Sequence, residues 1–526
     1  MKLERLPEYI TIVVTVACGM LLALCVGIST GSGSDTPMKV LAIIVAVTLA
    51  LVLRANVWLL IPLCASLSGR IPGTPGGFGL RHVAVFYVFA VYLALKALKT
   101  VRNKPLYSWI DYLLWINLAY LLTAYIRNPV GTLGLGFEKI GGKPYVEVLI
   151  GLLAYWSLSH VTVSPKTAKR LPFVMIVGGV FDTFAGAIST YIPSLGSVLS
   201  HLYTGFGVAS PVVSDSSSAN DGSAAENVQR ENYWMSGSTG TIKALCSYFS
   251  PLSLLNLLNP IRFLLLGLAG VALLKTGFRS VFFSMGLFFL MATYFRKGFA
   301  TAMRVPVLLL PILGFIVICH GTLFELPLNM QRALSFLPGQ WSYVAKGDAE
   351  GSTEWRHEIW ANVWNSGHKY IKNWWFGDGF GMTRSELRES FQSLEGSQES
   401  LTISGDYHSL PLSTIHTVGY VGLALLLVLM GAMSYYAWTL IKRAKGTPYF
   451  PIALFVGVPI VYEIFYGNLI FGGFNITAPA NIYAIAWMRL VSRSLDAYLA
   501  EEKEREQQPS PFPQLEMPSF SRPSLP

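Results

Sequence analysis

Three features in one polar stretch carry side chains that could do chemistry together. They are Arg356, the turn Trp375-Phe376-Gly377-Asp378-Gly379-Phe380-Gly381, and His408. From Thr353 to Tyr370, the residues Trp355, Ile359, Trp360, Val363 and Trp364 recur near helical spacing, so this segment reads as an amphipathic helix. On it, the Arg356 guanidinium could grip phosphate oxygens through its planar fork of donors, or it could stack on a tryptophan and snorkel at an interface. The alternate glycines Gly377, Gly379 and Gly381 permit positive φ and close backbone approach. A plain tight turn needs the same residues, and their spacing is not the dinucleotide fingerprint. His408 stands just ahead of an apolar run, and imidazole is the side chain best suited to take a proton near neutral pH. Asp406 and Glu399 could orient it or could be solvated loop residues, and His416, farther along, reads as packing or support. A cation, a glycine turn and a base beside a membrane span point to a surface site that handles something anionic.

Other chemistries leave no trace. His320, His357, His368, His408 and His416 lie in or beside this stretch, but none is paired at helix-face spacing with a third ligand. His357-Glu358 lacks the second histidine of a zincin helix, so no metal is expected. There is no P-loop, nucleophile elbow or serine triad pattern, and no cofactor is implied. Cys18, Cys25, Cys64, Cys246 and Cys319 all fall in apolar runs, which argues against a disulfide framework or a cysteine zinc site.

The elements that must position these residues are membrane helices. The 526 residues are 52% hydrophobic and only 13% charged, with mean hydropathy +0.48; soluble domains carry about 25% charged residues. Apolar runs at 10–29, 38–53, 55–68, 82–98, 107–126, 144–161, 171–191, 242–259, 262–275, 280–295, 304–320, 413–441, 449–466 and 478–493 read as spans. The first of these is read as an uncleaved helix. The expected fold is an all-α polytopic membrane protein with about 12–14 transmembrane helices. The net charge of +10 is explained by basic clusters in cytoplasmic loops, without a nucleic-acid partner. Those clusters include Lys166/Lys169/Arg170, Arg296/Lys297/Arg304 and Lys442/Arg443/Lys445, and all fall on one side under this count. Residues 1–320 then form N-terminal helices with exterior loops near 127–143 and 192–241. Residues 321–412 form one large exterior loop, whose tryptophans argue for an ordered subdomain. Residues 413–495 return to the membrane, and 496–526 read as a disordered cytoplasmic tail.

In this order the motifs resemble the O-antigen ligase and O-antigen polymerase superfamily of bacterial membrane glycosyltransferases. Ten residues separate Arg356 from Gly367, as in the arginine motif of the polymerase loops. The glycine turn occupies the place of the family's Gly-x-Gly-x-Gly stretch. His408-Ser409 is followed, nine residues between, by Gly419-Tyr420-Val421-Gly422, the ligase-type histidine motif, with Ser409 where Asn is common. The family also has an outward-facing arginine before the large loop. Arg279 and Arg296 are both candidates, and Arg279 is preferred because it lies outside under the topology above. The specific resemblance covers roughly residues 275–425.

The resemblance implies a bacterial inner-membrane enzyme whose active site faces the periplasm, so that the large loop is a periplasmic subdomain. Its partners would be an undecaprenyl diphosphate-linked glycan donor, a lipid A-core or growing glycan acceptor, and membrane lipid. His408 would be the general base, while Arg356 with Arg279 or Arg296 would bind diphosphate; no metal or other cofactor is needed. The histidine motif favours ligation to lipid A-core. The helix number and arginine motif favour the alternative, a polymerase joining repeat units. A polysaccharide transporter or flippase is disfavoured because its charges would lie within the spans.

Overall fold

The computed structural model describes residues 53–67, 69, 78–98, 107–130, 141–196, 228, 230–381 and 402–507. The expected spans 10–29 and 38–53 lie outside the described residues, apart from Leu53, as do parts of all three exterior loops and the end of the tail. The chain is an all-α polytopic membrane protein: 78% of the described residues are helical, and they contain no strand.

A 3-10 turn, Arg54–Leu59, leads into α1 (Leu60–Cys64). Then follow α2 (Leu80–Ala97), α3 (Trp109–Arg127), α4 (Gly142–Ser159) and α5 (Pro165–Tyr191). After these come α6 (Trp234–Tyr248), α7 (Pro251–Leu254), α8 (Pro260–Lys275) and α9 (Arg279–Lys297). Next are α10 (Phe299–Ala302), α11 (Arg304–Cys319), α12 (Leu328–Leu334) and α13 (Tyr343–Asn365). The chain closes with α14 (Leu410–Ala444), α15 (Phe450–Leu469) and α16 (Phe474–Gln507). Among the described residues, six segments are long and apolar enough to cross a bilayer: α2, α3, α5, α10–α11 taken together, α14 and α15. The α10–α11 segment has mean hydropathy 2.3 and turns Val307, Leu310, Phe315 and Ile318 outward. An apolar exterior over internally bonded backbone is what a lipid solvent requires.

The helix positions follow from local sequence, with three differences from the hydropathy reading. The run at 242–259 is not one helix. Phe249 is extended and Pro251, which has no N–H to donate, starts a separate turn. The same helix begins at Trp234, inside a stretch whose Gly and Ser content reads as loop. Those small residues are packing devices. A Cβ on Gly237 would stand 2.4 Å from Thr183 Oγ1, and one on Gly179 2.8 Å from the Ser236 carbonyl oxygen, so α5 and α6 meet almost backbone to backbone. The last helix also runs beyond 493 through the charged EEKERE stretch to Gln507, so the first part of the expected disordered tail is helical.

The interior is one large apolar cluster through the membrane helices. In it α14 packs on α15, α3 and α16, while α4 lies along α16 and α5 along α6. A second, smaller cluster sits at one end: Ile359, Val363, Ile371, Tyr407, Leu412 and Ile415, flanked by Trp355, Trp360 and Trp374. This cluster fastens α13 and the residues before α14 onto the bundle.

Candidate functional site

The glycine turn and the histidine motif prove to be two halves of one backbone structure. Gly419 interrupts α14 with φ 72° and ψ −177°. A break in a helix leaves carbonyls and amides without partners, and here the turn supplies them. Asp378 N donates to the His416 carbonyl at 2.7 Å and Gly379 N to the Thr417 carbonyl at 2.8 Å. In return, Tyr420 N donates to the Trp374 carbonyl at 2.8 Å and Val421 N to the Trp375 carbonyl at 3.2 Å. Only glycine allows this approach. A Cβ on Gly419 would stand 2.2 Å from the Trp375 carbonyl oxygen, and one on Gly377, at φ 76°, 2.4 Å from Val418 N. Gly379 has φ 72°, and a Cβ on Gly381 would press on the Asn128 side chain at 2.4 Å. Gly422 sits one turn beyond the break, buried against Tyr120. The Asp378 carboxylate accepts from Lys372 N and Asn373 N, and Arg127 and Asn128 at the end of α3 donate to the carbonyls of Phe376, Gly377 and Asp378.

Gly367 has a comparable role at the end of α13. It follows the cap residue Ser366 with φ 61° and terminates the helix; its carbonyl accepts from Trp374 Nε1 at 3.1 Å. The ten-residue spacing from Arg356 to Gly367 is thus the distance from the arginine to the stop signal of its own helix.

His408 is held by its neighbours. Tyr407 is fully buried, its hydroxyl bonded to His416 Nδ1 at 2.7 Å and its carbonyl accepting from Trp360 Nε1 at 2.7 Å. Ser409, which precedes Leu410-Pro411, is the N-cap residue of α14. Between these fixed points His408 adopts φ 51°, a conformation that a non-glycine residue keeps only where its surroundings impose it. Its ring stands edge-on to Trp355 at 5.3 Å and to Phe471 at 5.4 Å, with Nδ1 3.6 Å from Asp406 Oδ1.

Phe471 joins the histidine to the arginines, because the Arg356 guanidinium also lies over its ring, 5.8 Å from the centroid. Arg356 Nε and Trp355 Nε1 are buried donors with no hydrogen-bond partner among the described residues. Burial first, then the charges of Arg279, Arg230 and Arg332, push Arg356 below the ordinary arginine range. Arg279, the first residue of α9, donates to the Ala349 carbonyl and, at 3.0 Å, to Thr353 Oγ1. Ala349, Thr353 and Arg356 are spaced i, i+4, i+7 on one face of α13, which brings the two arginines together. Arg332 pairs with Asp348 and donates to the Gly277 carbonyl, and Arg230 lies 5.4 Å from the Phe278 ring centroid.

Arg296 is not part of this group. It stands near the far end of α9, roughly 25 Å along the helix axis from Arg279. There it donates to the Cys246 and Ser247 carbonyls at the end of α6 and lies 5.1 Å from the Phe450 ring. Arg230 and Arg332 are the members of the cluster whose role sequence reasoning did not assign. The only local signal was an arginine in each of two polar connections. Among the described residues, no group of three His, Cys, Asp or Glu side chains is placed to hold a metal ion.

Residues 264–427, which contain every one of these motifs from Arg279 to Gly422, match the family described as O-antigen ligase. Over this part, the chain is similar to the O-antigen ligase/polymerase superfamily, and the matched stretch lies among the apolar helices of a multi-pass membrane protein. No curated protein matches the chain.

Proposed function

We propose that this protein is an O-antigen ligase-like glycosyltransferase of the bacterial inner membrane, moving a glycan from undecaprenyl diphosphate to a hydroxyl of lipid A-core at the periplasmic face. The observation that carries this reading is the convergence of His408 and Arg356 on Phe471, with Arg279 on the same face of α13. Asp406, near Nδ1, favours the tautomer with the proton on Nδ1, in which Nε2 is the basic nitrogen. Nε2 then accepts the acceptor hydroxyl's proton while that oxygen attacks the anomeric carbon. The bond from that carbon to the diphosphate oxygen breaks, its electron pair leaves with the carrier, and attack from the opposite face inverts the centre. Arg356 and Arg279, with Arg230 nearby, neutralise the charge gathering on the departing diphosphate. A cluster of guanidiniums that repel one another is preorganised for such a polyanion. The basic clusters at 166–170, 296–304 and 442–445 belong to the opposite end of the helices, where Tyr248 meets Lys169 and Arg296 meets Phe450. This supports a cytoplasmic assignment for that end.

The test is a gel of surface glycolipid, read beside the undecaprenyl-linked pool, from a gene-deletion strain complemented with wild type or with His408→Ala. Bare core with long chains accumulating on the carrier is the expected result for the variant. Core bearing a single repeat would instead make the protein a polymerase. An unchanged ladder from His408→Ala would remove His408 from the reaction, for which a loss of about 10²–10⁴-fold is expected.

A further inference from the structure

The proposed reaction gives Arg332 no part, although its charge acts on both Arg279 and Arg356. It stands on the short helix α12 and is only 3% exposed. Its Nε pairs with Asp348 on α13, and its Nη1 donates to the Gly277 carbonyl between α8 and α9. A guanidinium is a flat, rigid fork, so an arginine bonded through two of its nitrogens fixes the distance between its partners. Here those partners belong to the elements that carry Arg356 and Arg279.

The contacts close into a ring. Only three residues separate α8 from α9, and Gly277 turns that corner at φ 73°, just ahead of Arg279. From the far side of the corner, Arg279 Nη2 donates to the Ala349 carbonyl and to Thr353 Oγ1. Ala349 follows Asp348 directly, so the two arginines grip the same turn of α13 at neighbouring points. Asn329, buried one turn before Arg332 on α12, donates to the Lys275 carbonyl at 2.8 Å and pins the corner at a second point. Through these bonds α12 packs on α8, α9 and α13 together.

The Asp348 carboxylate offsets the charge of Arg332 where it stands, and both side chains are more than nine-tenths buried. A buried pair of this kind resists being broken, because either partner alone would be a stranded charge. We infer that Arg332 is a positioning residue: it does not touch the diphosphate but sets Arg279 against α13, so that the guanidiniums of Arg279 and Arg356 meet one polyanion together. The inference rests on the transferase reading above, which assigns the diphosphate to Arg279 and Arg356.

The test is a double-variant cycle on the full chain in detergent micelles, with farnesyl diphosphate as the probe and farnesol as its uncharged control. Phosphorus NMR titration reads weak as well as tight binding. Arg332→Lys keeps the charge but loses the fork, and it should weaken binding about tenfold. In an Arg279→Ala background the same change should shift Kd by less than about twofold, because its route to the ligand is gone. An unaltered Kd for Arg332→Lys would mean that charge alone matters, and an equal loss in both backgrounds would mean a separate contact or general damage; either overturns the inference. Asp348→Asn, which leaves the arginine in place, should repeat the pattern and decides if Arg332→Lys fails to insert. Hydrogen exchange of the unliganded protein separates this inference from the transferase reading. Arg332→Lys should speed exchange in residues 275–281 and 345–353 and leave α15 and α16 as in wild type. That result, with no farnesyl diphosphate bound by wild type, would count against the diphosphate site and leave the positioning standing. Unchanged exchange in both segments overturns the positioning, whatever binds.

Discussion

At the scale of single residues, the site separates two functions of arginine that look alike on paper. Arg279 and Arg296 both stand beside aromatic residues and a small neighbour, and both are followed within a few residues by an apolar helix. Arg296 satisfies the last carbonyls of α6, a structural use of the guanidinium. Arg279 is committed through Thr353 and Ala349 to the helix that carries Arg356. Under the proposed function, Arg279→Ala is therefore expected to lower kcat/KM for an undecaprenyl diphosphate-linked donor by about 10²-fold, the cost of removing one preorganised donor to a developing anion. Arg296→Ala should lower thermal stability and leave donor KM within twofold. The contrast is checked by steady-state kinetics with purified protein. Equal kinetic losses in both variants would show that the arginine cluster does not contain the donor diphosphate. Arg356→Lys would keep the charge without the planar fork, so it should recover only part of what Arg356→Ala loses.

At the scale of elements, the break in α14 is what makes a site of residues far apart in sequence. The prediction that follows concerns Gly419 rather than any charged group. Gly419→Ala forces a positive φ on a residue with a Cβ and drives that atom against the Trp375 carbonyl, so α14 and the glycine turn cannot both keep their places. The cost should exceed about 1–3 kcal/mol and appear as a lower Tm with lost activity. Gly431→Ala, farther along the same helix with its nearest neighbour 4.0 Å away, is the matched control and should be neutral or slightly stabilising. Legibility in the sequence divides along the same line. Helices from α2 to α5, and the start of α14, could be read because apolar runs and caps are local. The glycine turn was visible as a close approach, but its partner was not, since nothing near Gly377 says that Gly419 breaks a helix to receive it. The amphipathic segment carrying Arg356 was likewise legible, whereas the neighbouring charges of Arg230 and Arg332 depend on packing across many residues. The same limit hid the start of α6, where Gly237 and Ser238 look like loop until α5 is laid against them.

At the scale of the whole molecule, the site must be held still by helices whose other ends are far from it. Asp111, near the start of α3, is completely buried; it ion-pairs with Arg489 of α16, 3.2 Å from Oδ2 to Nε, and accepts from Ser108 N at 2.6 Å. It lies roughly 24 Å along α3 from Arg127, which donates to the glycine turn. Charges within a membrane protein are retained where they have a use, and this pair fixes the register of α3 against α16, two of the three helices on which α14 packs. Removing one partner leaves the other charge buried alone, so Arg489→Met should cost about 3–5 kcal/mol. Adding Asp111→Asn removes the orphaned charge and should restore most of that loss. Thermal unfolding in micelles measures both variants, and activity per folded molecule shows whether the fault reaches the site. Recovery of stability without recovery of turnover would mean that the ion pair sets the position of Arg127 beneath the glycine turn. Recovery of both would confine its role to holding the bundle together. A double variant no more stable than Arg489→Met would mean that the pair's own attraction, rather than relief of a stranded carboxylate, joins these two helices.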